Sequence, residues 1–172
     1  MSDVSVFEKI YRDNYSLLNK VAIKICGDQD VGEEVVQEAF IKYYERMESL
    51  PQGKEALYWL IRVVKNLSLN KEKRKGRERR AYERYFKEPK KDSKNEGEEN
   101  TLKDETKEIV KEALLKLPHK LRTILILREY AGFSYQEIAD SLHISEGNVK
   151  VRMFRARKQL ADLIDQGEVY VP

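Results

Sequence analysis

The sequence is poor in the residues that covalent and metal chemistry need. Cys26 is its only cysteine, so neither an intramolecular disulfide nor a cysteine metal cluster can form. Preceded by Ile23 and Ile25, it reads as a small buried hydrophobe. His119 and His143 are the only histidines, and His119 follows a proline in an inter-helix turn. No metal-ligand spacing, nucleophile motif or glycine-rich phosphate loop occurs, so no catalytic site, metal, cofactor or small-molecule substrate is expected. No apolar run approaches the ~18 residues that span a bilayer. The opening "MSDVSVFEKIYRDNY" carries charge too early for a secretory signal, which gives a cytoplasmic address. Strand signals are nearly absent.

Charge and helical periodicity are what the chain has in quantity. Charged residues make up 37% of the 172 and apolar ones 41%, while the net charge is only +3, so charge distribution says more than its sum. Residues 71–80, "KEKRKGRERR", hold seven basic and two acidic side chains, and "NEGEEN" at 95–100 is acidic. Blocks of opposite sign suggest a cationic binding strip and a solvated acidic segment.

Phe7, Ile10, Leu18, Val21 and Ile25 recur at helical spacing, with Ser5 or Asp3 as the expected N-cap. "CGDQD" breaks that helix, and Asp30 is placed to cap a second one, whose stripe is Val36, Ala39, Phe40, Tyr43 and Met47. "SLPQGK" at 49–54 is a loop, and a third helix starts near Glu55. Residues 87–105 contain almost no apolar side chain and cannot bury enough surface to offset chain ordering, so they read as a linker. Periodicity resumes with Ile109, Ala113, Leu114 and Leu117; Pro118 stops it, and "KLRTILILREYAG" makes another helix with Gly132 as its stop. The expected fold is all-α: a helical domain at 1–86, a flexible polar linker at 87–106, and a second helical domain at 107–172.

The second domain contains a helix-turn-helix. "SYQE" at 134–137 has capping-box form, and its helix buries Ile138, Ala139 and Leu142. A short "HIS" turn follows, with Ser145 placed to cap the next helix. In "SEGNVKVRMFRAR", Val149, Met153 and Ala156 share one stripe, continued by Leu160, while Val151, Phe154 and Arg155 share the other. A valine and a phenylalanine shown to water among cations suit a recognition helix, which meets thymine methyls and phosphates in the major groove. Lys150 and Arg155 would reach base edges or phosphates, and Ser145 with the first helical amides suits a phosphate. The third helix is read the same way. Trp59, Arg62, Asn66, Asn70 and Lys73 line the side opposite Leu60, Ile61 and Val64. Such a stripe can stack on and hydrogen-bond unpaired bases while lysines track phosphates; Trp59 fits a core position equally well. "EEVVQEAFIKYYERM" carries apolar residues widely round its helix, one face for the interior and one for a partner helix.

Together these residues resemble the extracytoplasmic-function (ECF) class of sigma-70 family factors of bacterial RNA polymerase. "DVGEEVVQEAFIKYYE" is similar to the segment that grips the clamp helices of the polymerase largest subunit. "ALYWLIRVVKNLSLNKEKRKGRERR" is similar to the segment that melts and reads the −10 element. "ALLKLPHKLRTILILREYAGFSYQEIADSLHISEGNVKVRMFRARKQL" is similar to the domain that reads the −35 element and touches the β-subunit flap. The resemblance implies −10 contacts from Trp59, Arg62, Asn66, Asn70, Lys73 and Arg74, with Asn66 and Asn70 capturing an exposed base. It implies −35 contacts from Ser145, Asn148, Lys150, Val151, Phe154 and Arg155, and core polymerase contacts from Val36, Gln37, Phe40 and Ile41. Promoter DNA, core polymerase and a cognate anti-sigma factor are the implied partners. Three positions depart from the family pattern: Asn148 where threonine is usual, His143 where the turn often has glycine, and Gly32 in place of alanine. A tether over 81–105 spans at most about 85 Å. Elements ~20–25 base pairs apart lie roughly 70–85 Å apart, within reach of a nearly extended tether. The competing expectation is an ordinary helix-turn-helix regulator that binds an operator without polymerase.

Overall fold

A computed structural model of the chain describes residues 2–86 and 102–166. Seven helices occupy them: α1 Asp3–Cys26, α2 Gln29–Arg46, α3 Lys54–Phe86, α4 Leu102–Lys116, α5 His119–Glu129, α6 Tyr135–Leu142 and α7 Glu146–Gln166. No strand occurs among the described residues. Most of the linker expected over 87–106 lies outside them; its last residues belong to α4, which starts at Leu102, ahead of the periodicity resuming at Ile109.

Two N-caps differ from expectation. Ser2 caps α1, accepting from the Ser5 amide, because the Ser5 hydroxyl donates back to the Ser2 carbonyl at 2.9 Å. Asp28, not Asp30, caps α2. Gly27 takes the left-handed conformation (φ 72°) that ends α1, and the chain then delivers Asp28 Oδ1 to the Val31 amide at 2.9 Å.

Helices α1, α2 and α3 pack as one bundle around Leu18, Val21, Ile25, Val35, Val36, Phe40, Tyr43, Leu60 and Val64. Gly32 lets α1 and α2 approach closely: a Cβ there would stand 2.7 Å from the Ile23 Cα. In the second unit α5 is apolar nearly all round and buried from Leu121 to Leu127, as a helix enclosed on every side must be. Helices α4, α6 and α7 contact it.

The periodicity did not foretell that these two bundles pack against each other. α1 lies against α4 and α5, and α3 against α6. Arg122, only 2% exposed, is the hinge pin. Its guanidinium donates to the carbonyls of Leu114, Leu115 and Leu117 at the end of α4, and to the Ile25 carbonyl at the end of α1. It also makes a two-pronged pair with Glu72 of α3, both contacts at 3.0 Å. One cation therefore sits at the negative ends of two helix dipoles and meets a carboxylate from a third. Near it, Ser68 Oγ lies 2.9 Å from His119 Nε2 and Leu115 covers Gly27; at the far end of the seam, where α3 begins, Lys54 pairs with Glu137 of α6 at 3.3 Å.

Candidate nucleic-acid interface

The helix-turn-helix forms as its residues require. Ser134 accepts from the Glu137 amide and Glu137 from the Ser134 amide, both at 3.1 Å, completing the capping box. That amide contact, with the Lys54 ammonium behind it, holds the Glu137 carboxyl below the usual range. Ile138, Ala139 and Leu142 are buried. The chain then reverses through His143 at φ 55°, the left-handed conformation glycine adopts most readily, and Ile144 donates to the Ala139 carbonyl. Histidine thus occupies the glycine position by accepting its conformation. Ser145 Oγ accepts from the Asn148 amide at 3.1 Å and caps α7.

Val149, Met153 and Ala156 face the core, and the opposite face is open. Asn148, Lys150 and Arg155 are exposed, with Val151 at 48% and Phe154 at 69%. Lys150 stands 3.8 Å from Glu146, an exposed pair that a phosphate can displace. This is a cationic surface with two apolar side chains at its centre, on a helix whose first turn is free to enter a groove. Ser145 is already engaged as the cap, so its hydroxyl can only add a donated bond to a phosphate.

On α3 the proposed base-reading stripe is divided. Asn66, Asn70 and Lys73 are exposed along it. Trp59 is half-buried, edge-on to Tyr43 at 5.7 Å between ring centres, so it shares the core with the surface. Arg62 is held by the second bundle: its Nη1 donates to the Ser141 carbonyl at 2.9 Å and the Asp140 carbonyl at 3.3 Å. Arg74 pairs with Glu78 at 3.1 Å one turn further on. Burial lowers the Arg62 pKa, and burial with the nearby Arg152 and Arg62 charges lowers that of Lys65. Positive charge from both bundles therefore gathers where Arg152 of α7 comes near Lys65 and Arg62 of α3.

The polymerase-binding stretch needs correction. Val36 and Phe40 are core residues, 0% and 2% exposed, and cannot meet a partner from where they stand. They were drawn in because a helix with apolar residues all round does not say which face is inside. Gln37 and Ile41 are at the surface, Ile41 58% exposed. Beside Ile41 the structure adds exposed Tyr44 and Tyr11 and half-buried Phe7, a residue expected on the core stripe of α1. Phe7 and Tyr44 meet edge-to-face at 5.1 Å, and Tyr11 stacks on Tyr15 at 4.9 Å. The i, i+4, i+8 spacing of Phe7, Tyr11 and Tyr15 was the available signal.

The remaining reactive groups are quiet. Burial pushes the Cys26 thiol up to about 11 and the His119 imidazole down to about 4, so both are neutral near pH 7. Among the described residues no cluster of three or more His, Cys, Asp or Glu is placed to hold a metal ion. None of their helices is long and apolar enough to cross a membrane.

The family description "Sigma-70 region 2" matches residues 10–78, and "Sigma-70, region 4" matches residues 107–160. The RNA polymerase sigma-H factor of Pseudomonas aeruginosa is 34% identical over 146 residues, covering 80% of this chain and 75% of that protein. The ECF RNA polymerase sigma-E factor of Haemophilus influenzae is 34% identical over 148 residues, covering 76% and 73% respectively. Among solved structures, the sigma factor RpoE in complex with the anti-sigma factor NepR from Bartonella quintana is similar. It has a TM-score of 0.68 and 26% identity, covering 92% of this chain and 96% of that one.

Proposed function

We propose, from the premise that the chain belongs to the sigma-70 family of RNA polymerase sigma factors in its ECF class, that it directs promoter-specific initiation by contacting DNA at two places. The observation that carries the reading is the pairing of two surfaces, each on the matching family region and in the right chain order. One is the exposed amide-and-cation stripe of α3; the other is the open face of α7. The second bundle contacts duplex −35 DNA: phosphates supply much of the affinity, and Lys150, Arg155, Val151 and Phe154 read base edges and methyls. The first traps unpaired −10 bases on Asn66 and Asn70, so that binding energy favours the opened strands. Core polymerase docks on Gln37 and Ile41 and on the β-flap side of the second bundle, and supplies the synthesis; the chain itself performs no reaction. A cognate anti-sigma factor competes for these surfaces.

Arg62 bridging directly to α6 bears on the mechanism. The base-reading helix α3 is in contact with α6 of the helix-turn-helix here, whereas −10 and −35 elements lie roughly 70–85 Å apart on B-form DNA at ~3.4 Å per step. The bundles must part before both elements are read, and parting frees Arg62 for the −10 strand.

The test is reconstitution. Purified core polymerase should retain this chain and start RNA at a defined site, while the chain alone binds the same promoter weakly. An operator-binding regulator would show the reverse, with tight binding and no dependence on polymerase.

A further inference from the structure

The base-reading stripe of α3 does not stop at Asn70. After Asn66 and Asn70, Lys73, Arg77, Arg80 and Arg84 continue at spacings of three and four, so at ~100° per residue all fall within one sector of roughly 80°. All four cations are exposed. The acidic residues of this stretch point elsewhere: Glu72 turns to Arg122 and Glu78 to Arg74, and Glu83 falls outside the sector. Past Trp59 the sector holds no aromatic residue, and Tyr82 and Phe86 face each other off it, with ring centres 4.8 Å apart. The stripe thus changes character along one straight helix, from amides that suit bases to cations without stacking partners.

We infer that the C-terminal half of α3 is a phosphate rail for the double-stranded DNA adjoining the opened −10 element on its −35 side. The inference rests on the reading of Asn66 and Asn70 given above and extends that site. Charge selects phosphate, and the absence of aromatics selects backbone over unstacked bases. From Lys73 to Arg84 the helix advances ~16 Å at ~1.5 Å per residue, which matches about four or five phosphates at ~3.4 Å of helix axis per strand. The direction is part of the inference: once the bundles part, the distal end of α3 is the end tethered to the −35 domain, which assigns it to the −35 side.

The test uses the full-length Arg77→Ala/Arg80→Ala/Arg84→Ala chain with core polymerase. Promoter binding is measured against salt on two fragments, one complete and one cut back to the −35-side edge of the −10 element. On the complete fragment the variant should lose roughly 3 units of salt slope, about one per arginine, and weaken equally on promoters of different spacer sequence. On the truncated fragment it should match wild type. Its melting temperature should be unchanged, because the three side chains are solvent-facing. Equal slopes on the complete fragment would overturn the rail, as would an equal deficit on both fragments. Tighter binding by the variant would overturn it too, showing that the arginines hold an acidic segment of the chain, such as residues 95–100, instead. Failure of wild-type holoenzyme to initiate at all would instead refute the sigma reading.

Discussion

Replacing Glu72 with alanine tests the packing of the two bundles most directly. Breaking a buried ion pair costs about 3–5 kcal/mol where the remaining charge is left bare. Arg122 is not left bare: four backbone carbonyls still accept from it, and Glu72 is itself 47% exposed to screening water. The loss therefore falls to about 1–2 kcal/mol. It falls mainly on the seam between the bundles, because the three bonds from Arg122 to the end of α4 lie within its own bundle and survive. For a chain of this size, a change of that order lowers the melting temperature by about 3–6 °C and shifts a closed-to-open equilibrium by roughly 5- to 30-fold. Calorimetry gives the first quantity. Small-angle scattering of the free chain gives the second, as a larger radius of gyration in the variant. If Glu72→Ala melts within about 1 °C of wild type and scatters as a particle of the same size, the fork does not hold the bundles together.

Gly32→Ala, which restores the residue usual in the family, should destabilise the chain by about 1–3 kcal/mol in chemical denaturation, because its Cβ would meet the Ile23 backbone at 2.7 Å. His119 makes closure acid-sensitive. Its imidazole is pushed from 6.5 down to about 4, chiefly by burial, so the closed form excludes a proton that the freed ring binds. Its contribution is complete above pH 6.5 and is lost as pH falls toward 4, by less than about 1.4 kcal/mol per pH unit given its residual solvent contact. His119→Gln should remove that part of the pH dependence of melting. Arg155→Ala should weaken duplex −35 binding by about 1–3 kcal/mol in a gel-shift of the holoenzyme. Asn66→Ala should leave that binding in place and reduce strand opening, read by permanganate footprinting.

The caps and exposed helix faces of the candidate site were legible because their cues are local. The capping box at Ser134 and Glu137 and the Ser145 cap involve groups three residues apart, and helical geometry carries Val151 and Phe154 to the face opposite Val149 and Met153. The α3 stripe followed from the same 100° arithmetic. Errors arose where that arithmetic is degenerate. In α2 apolar residues occupy most of the circumference, and only the position of α1 and α3 decides that Val36 and Phe40 go in while Ile41 and Tyr44 stay out. Cap choice at Ser2 and Asp28 turned on the Ser5 hydroxyl and on Gly27, each a competition between neighbours of equal propensity.

Periodicity, capping chemistry and charge placement are properties of a few consecutive residues, so the chain's order of residues was enough to establish an all-helical protein with a helix-turn-helix and a helix bearing a stripe of amides and cations. The junction of the two bundles is different in kind. Arg122 gathers Ile25, Glu72 and the end of α4 from positions 97, 50 and five to eight residues away, and Arg62 reaches α6 across 79 residues. No local pattern marks such partners, because each is chosen by which carbonyls and carboxylates are left unsatisfied once the helices have packed. Whether the amide-and-cation stripe of α3 stands open or covered was therefore decided only in three dimensions.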